Sequence, residues 1–153
     1  NSPGLSNLVA GTATLDDCIL HMEDANIDVL TSGLIPPNPS ELLSSHKFAE
    51  LLRKFAQEYD RVIIDSPPTL LVSDALLMSK VVDAVVYVIR SDITTHQTVR
   101  TGVNRLFAVK APIIGVILNK VNMKKAAQYY GAYSSYYAHG GYVYGHDAKK
   151  KAS

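Results

Sequence analysis

The sequence predicts an α/β domain built on part of a parallel sheet, followed by a flexible C-terminal tail. Three observations predict it. Apolar runs at 61–65, 83–90 and 113–118 are continuous rather than alternating, the pattern of strands covered on both faces. Helical stretches lie between them, and strand–helix–strand at this spacing makes right-handed βαβ units. The chain has 153 residues, 47% hydrophobic and 19% charged, which suits one globular domain with its own core.

In chain order, helices are expected at 6–10 and 15–21, the second capped by Thr14. A short β-branched run at 27–31 stops at Ser32-Gly33. Prolines as dense as those of Ile35-Pro36-Pro37-Asn38-Pro39-Ser40 exclude a helix interior and hold an extended loop. Ser40 or Ser45 caps the next helix. Its Phe48, Leu51, Leu52, Phe55 and Tyr59 recur at i, i+3, i+4, i+7 and i+11, which is one apolar face. The strand at 61–65 is broken by Ser66-Pro67-Pro68. Ser73 or Asp74 caps a helix running to about Val81. After the valine-rich strand at 83–90, a helix at 95–107 sets Val99, Val103, Leu106 and Phe107 on one side. Pro112 leads into the last strand, at 113–118.

Several classes are excluded or disfavoured. No apolar run approaches the roughly 18 residues of a membrane helix, and no signal peptide is visible. A single cysteine, Cys18, forms no internal disulfide, so a reducing, cytoplasmic compartment is the default. The histidines (His21, His46, His96, His139, His146) lack metal spacing and read as structural or surface residues. Residues 1–123 hold 10 basic and 13 acidic side chains, which disfavours general nucleic-acid binding. Residues 124–153 hold five lysines and one aspartate. The chain opens at Asn1 without methionine in a turn-like Asn-Ser-Pro-Gly, so it is expected to lie inside a longer protein.

Ligands of open parallel sheets sit at the carboxyl ends of strands, here Asp65, Ser91-Asp92 and Asn119. Val62-Ile63-Ile64-Asp65 has the form of a Walker B segment. A nucleotide-bound Mg2+ needs a hard oxygen ligand held rigidly beside the phosphates. From this segment alone, an aspartate that merely ends a strand reads the same way. Asn119 presents an amide able to donate to and accept from a base edge, or to stabilise its own turn. Asp74 is more simply a helix cap than an outer neighbour of a metal, and Asp92 reads as loop structure.

Asp65-Ser66-Pro67-Pro68 resembles the Walker B signature of bacterial tyrosine kinases, a branch of the deviant-Walker P-loop ATPases. Gly33-Leu34-Ile35-Pro36-Pro37-Asn38-Pro39-Ser40-Glu41-Leu42-Leu43 resembles the Pro-rich loop and helix start that precede it in that family. Gly115-Val116-Ile117-Leu118-Asn119-Lys120 is similar to the family's adenine-side strand. The resemblance covers nearly all of residues 1–144. It implies a partial P-loop domain that moves the γ-phosphoryl of MgATP to tyrosine. Asp65 would bind or position Mg2+ and help activate the tyrosine hydroxyl, and Asn119 would contact adenine. The family also uses a Walker A loop and a second acidic motif, A′; neither Gly-x-x-x-x-Gly-Lys-Ser/Thr nor an apolar run ending in Asp-x-Asp occurs here. The chain is therefore expected to be the C-terminal part of a kinase domain, inactive by itself.

Tyr129, Tyr130, Tyr133, Tyr136, Tyr137, Tyr142 and Tyr144 crowd into residues 129–144, while the rest of the chain has only Tyr59 and Tyr87. The spacing is neither 2 nor 3.6, and glycines intervene, so composition predicts a flexible segment. An aromatic low-complexity tail that sticks to other proteins or to single-stranded nucleic acid would be the bland reading; nucleic-acid binding would want arginines among the tyrosines, and there are none. Lys149-Lys150-Lys151 reads as a solvated end. The resemblance implies that the tyrosines are autophosphorylated between subunits. It further implies a ring-shaped homo-oligomer, a polysaccharide co-polymerase membrane region (fused or separate), a cognate tyrosine phosphatase, and work at the cytoplasmic face of the bacterial inner membrane in capsule or exopolysaccharide production. The expected division is 1–124 for the kinase part and 125–153 for the tail. The rival readings are a partition- or division-type ATPase and a non-catalytic, phospho-accepting adaptor.

Overall fold

A computed structural model describes residues 3–122 of the chain. The tyrosine cluster, the boundary at 124/125 and the lysine end lie outside the described residues.

The first helix, α1 (Leu5–Ala10), starts against a distant loop. The Leu5 and Ser6 N–H groups, orphans of a helix N-terminus, donate to the Thr31 and Ser32 carbonyls at 2.8 and 3.0 Å. Gly11 ends the helix in left-handed backbone, φ 77°. One further turn, α2 (Leu15–Cys18), begins at Thr14. Its N–H and hydroxyl both donate to the Asp17 carboxylate, at 3.0 and 2.5 Å.

The helix expected at 15–21 stops at Cys18. Ile19–Met22 is instead β1, paired antiparallel with β2 (Ile27–Leu30) in the register Ile19↔Leu30 to Met22↔Ile27. A 3-10 turn over Glu23–Ala25 joins them, with Asn26 at φ 50°. Four ladder pairs, with His21 opposite Asp28, outweigh the small gain of extending a short, costly-to-nucleate helix. The parallel-sheet expectation did not include this hairpin.

The proline-rich stretch stays out of a helix only as far as Asn38, which N-caps α3 (Pro39–Leu43). Pro39 occupies the first helical position, where its missing N–H costs nothing. Ser40 thus lies inside α3, and Ser45 caps α4 (His46–Glu58) by accepting from the Phe48 N–H at 3.2 Å. The apolar face of α4 is as read: Phe48 and Phe55 are buried, and Leu51 and Leu52 pack on the core beside Val9 and Met78. Burying a phenylalanine as fully as Phe48 (1% exposed) contributes about 1.5–3 kcal/mol.

Residues 61–65 are not a strand. A strand requires a ladder partner for its backbone, and no described strand lies beside this segment. Ile64 packs on the core while Ile63 is 90% exposed. Next comes α5 (Asp74–Met78), ending short of Val81. Its N-cap Ser73 acts through its carbonyl, which accepts from Leu76 and Leu77 at 2.9 and 3.0 Å.

The expected strand–helix–strand unit follows. β3 (Val85–Arg90) and β4 (Ile113–Asn119) are parallel, joined through α6 (His96–Ala108), and the register runs from Val86↔Gly115 to Arg90↔Asn119. Thr95 caps α6, accepting from the Thr98 N–H at 3.2 Å. The strands are not covered on both faces: Val86, Val88, Ile114 and Val116 are exposed. α6 buries Leu106 but leaves Phe107, assigned to the same side, 61% exposed.

Two substitutions test these local causes. Gly33 sits at φ 72°, and a β-carbon there would stand 2.8 Å from both Asn7 Oδ1 and Ser6 Oγ and 2.9 Å from Gly4 N. Gly33→Ala is expected to destabilise by more than about 1 kcal/mol, through backbone strain as well as crowding. Ser45→Ala should cost about 1 kcal/mol by uncapping α4. Urea midpoints check both; unchanged midpoints would refute the assignments.

Candidate functional site

The hairpin, the proline-rich stretch, α4, residues 61–65 and α5 surround a cavity of about 770 Å³. Its wall is mostly apolar, with Ile35, Leu42, Phe48, Ile63 and Ile64 among the lining residues. Three carboxylates line it as well: Asp28, Asp65 and Asp74. Ile64 turns into the core, so its neighbour Asp65 faces out. The Asp65 carboxylate is exposed and accepts no hydrogen bond from another described residue. A hard cation could therefore take one of its oxygens without displacing a protein contact.

Asp74 is held differently. It stands in the first turn of α5, where a carboxylate suits the helix dipole. Ser40 Oγ lies 3.5 Å from its Oδ1 and 3.2 Å from Ser73 Oγ. These contacts couple the Pro-Ser-Glu-Leu-Leu helix to the helix that follows Asp-x-Pro-Pro, across 33 and 34 residues of sequence.

Asn119 does not line this cavity. It pairs with Arg90 at the carboxyl end of the β3–β4 ladder, and its carbonyl accepts from the Ser91 N–H at 2.9 Å. Its side-chain oxygen accepts from the Lys120 N–H at 2.8 Å, in a turn where Lys120 has φ 56°. The turn-stabilising role is thus present, and the Nδ2 donors are what it has left for a ligand. Asp92 stands at φ 62° just after β3, as loop structure. The structure brings Ser91 and Asn119 together and places Asp65 and Asp74 on one cavity.

One cluster was not singled out from the sequence. The Tyr59 hydroxyl donates to Asp28 Oδ2 at 2.7 Å, and His21 Nδ1 lies 2.6 Å from Oδ1. The Tyr59 hydrogen bond, then that of His21, holds the Asp28 carboxyl below the usual carboxylate range. The same bond, with desolvation and the Asp28 charge, pushes the Tyr59 hydroxyl up. Asp28 thereby ties the hairpin to the end of α4, immediately before residues 61–65. Its sequence signal was the β1–β2 register, which is invisible while 15–21 reads as a helix.

No family model matches the chain. Over 133 residues it is 36% identical to the putative tyrosine-protein kinase CapB of Staphylococcus aureus, across 87% of this chain and 58% of that protein. Over 130 residues it is 40% identical to the tyrosine-protein kinase etk of Escherichia coli (strain K12), across 85% of this chain and 18% of that one. Among solved structures, the VpsO kinase domain superposes with a TM-score of 0.75 at 45% identity, covering 79% of this chain and 60% of its own. The chain thus spans less than two thirds of the length of each.

The Asp28 clasp has a pH signature. A carboxyl whose folded pKa is depressed contributes stability above its unfolded pKa, about 3.9. That contribution is lost as pH falls through the lower folded value. Asp28→Asn should therefore lower the urea midpoint at pH 7 and flatten its decline between about pH 5 and pH 2. Tyr59→Phe should shift the pH 7 midpoint in the same direction. Parallel pH profiles for wild type and Asp28→Asn would refute the clasp.

Proposed function

Because this chain belongs to the bacterial tyrosine kinases, as a segment of their kinase domain, we propose that it supplies the metal side and the adenine side of an ATP site. The observation that carries this reading is Asp65: a carboxylate on a cavity wall with no hydrogen-bond partner among the described residues, followed after Ser66 by Pro67-Pro68. The parent activity is transfer of the γ-phosphoryl of ATP to a tyrosine hydroxyl. The new bond forms from the tyrosine oxygen to phosphorus, the β,γ-bridging bond breaks, and ADP leaves. Mg2+ bound at the phosphates would neutralise charge on the transferring group. A single carboxylate would suit that ion, which is commonly held by one or two carboxylates together with substrate phosphates.

Each residue has a role in this reading. Asp65 would bind or position the metal through a carboxylate oxygen and help activate the incoming hydroxyl. Asn119 donates from Nδ2 toward the adenine edge while its Oδ1 keeps the turn with Lys120. The acceptors are Tyr129, Tyr130, Tyr133, Tyr136, Tyr137, Tyr142 and Tyr144, in a segment 125–153 distinct from the kinase part at 1–124. Each phosphate adds roughly −1.5 to −2 charge, so several would reverse the positive balance of that segment. Transfer occurs between subunits of a ring-shaped homo-oligomer, opposed by a cognate phosphatase. The kinase works with a polysaccharide co-polymerase region at the cytoplasmic face of the inner membrane, in capsule or exopolysaccharide production. No helix among the described residues is long and apolar enough to cross a membrane. Relatives named as tyrosine kinases, together with the tyrosine cluster, favour this reading over a partition- or division-type ATPase.

Asp65→Asn in the intact parent kinase should reduce autophosphorylation from ATP by about 10²–10³-fold, the scale of losing one preorganised electrostatic contact. Wild-type activity in that variant would end the assignment. The 153-residue chain alone, which holds neither a Walker A loop nor an Asp-x-Asp strand end, should form no phosphotyrosine from MgATP. Phosphotyrosine detected by mass spectrometry would overturn that expectation.

A further inference from the structure

We propose that Arg105 is a positioning residue for Asp65, acting through the backbone of Thr69. The inference rests on the role given to Asp65 above. Residues 61–68 have no ladder to set their position. The carboxyl side of this segment is instead held from α6: Arg105 Nη1 donates to the Thr69 carbonyl at 2.7 Å, in a partly buried bond across 36 residues. A guanidinium stays charged at any working pH, and its planar fork fixes the direction of the bond. Just beyond, the Leu71 N–H donates to the Pro68 carbonyl at 3.1 Å, closing the turn that carries Thr69.

Between the held carbonyl and Asp65 lie Ser66, Pro67 and Pro68. Each proline locks its own φ and restricts the residue before it. A restraint at Thr69 is therefore transmitted to Asp65 with few soft torsions between. The other end of the lever is rigid as well. α6 is anchored by Leu106, 1% exposed, next to Arg105. One turn earlier, Gly102 allows close approach: a β-carbon there would overlap the Tyr87 hydroxyl of β3 and stand 3.1 Å from Thr69 Oγ1. Strand β3, helix α6 and the loop after Asp65 thus meet at one place. The parallel unit that ends in Asn119 sets the position of the segment that carries Asp65.

The test compares Arg105→Met and Arg105→Lys with Asp65→Asn in the intact parent kinase. Arg105→Met is expected to lower kcat roughly tenfold or more, the scale of a misplaced catalytic group, and to raise the Mg2+ concentration for half-maximal rate. KM for ATP should stay within about twofold, since the adenine side is untouched. Arg105→Lys, which keeps a charged donor, should recover most of the rate. Amide exchange in the 153-residue chain gives a readout independent of activity. Arg105→Met should speed exchange at Leu71, whose N–H closes the turn on the Pro68 carbonyl, while the β3–β4 ladder stays protected. Wild-type kcat in Arg105→Met alongside an inactive Asp65→Asn would overturn this proposal alone. Full activity in Asp65→Asn would overturn it together with the reading beneath it. Uniformly faster exchange through β3, α6 and β4 would make Arg105 a general stabiliser and also overturn it.

Discussion

Phe48 is the side chain on which the first half of the molecule converges. It is fully buried in the cluster that also holds Val9 of α1 and Met78 of α5, with Leu42 and Leu43 of α3 packed against it. Three short helices, each too short to be stable alone, are made mutually dependent by that contact. Ile64 joins the same cluster. Its burial is what places the next residue, Asp65, at the wall of the cavity rather than in the core.

The consequence is an acidic residue held by indirect means. In a closed sheet the ladder would fix it. Here the segment relies on Ile64 in the core, on Tyr59 and Asp28 before it, and on Arg105 and Thr69 after it. Two of these tethers are bonds to distant elements: Asp28 of the hairpin to Tyr59, and Arg105 of α6 to Thr69. A carboxylate held this way depends on residues that never touch it, because position rather than chemistry is what they supply.

The fold was legible where one local rule dominated. Ser45 caps α4 because a hydroxyl there satisfies an orphan N–H, which was readable from sequence although Ser40 was an equal candidate; Thr95 caps α6 by the same rule, where the sequence pattern makes it the first helical residue. The apolar face of α4 and the parallel β3–α6–β4 unit follow from periodicity and spacing. The hairpin was not legible, since Ile19–Met22 is short and apolar enough for either state and its partner decided it. The strand at 61–65 failed for the opposite reason: its residues suit a strand, but pairing is not a property of one segment. Phe107 shows the same limit, because a helical face predicts burial only where something packs against it.

The sequence by itself determined the chemistry on offer: an aspartate shortly before two prolines and an asparagine at the end of an apolar run, with the caps and breaks around them, and a cluster of tyrosines. Those are local facts, set by side-chain type and by torsions spanning a few residues. The tertiary structure alone decided what each group faces. It left the Asp65 carboxylate open on a cavity, turned the Asn119 oxygen onto its own backbone, and brought Asp28 to Tyr59 and Arg105 to Thr69. Contacts across 31 and 36 residues depend on strand register and helix packing. Both are properties of the assembled core, so no window of sequence contains them.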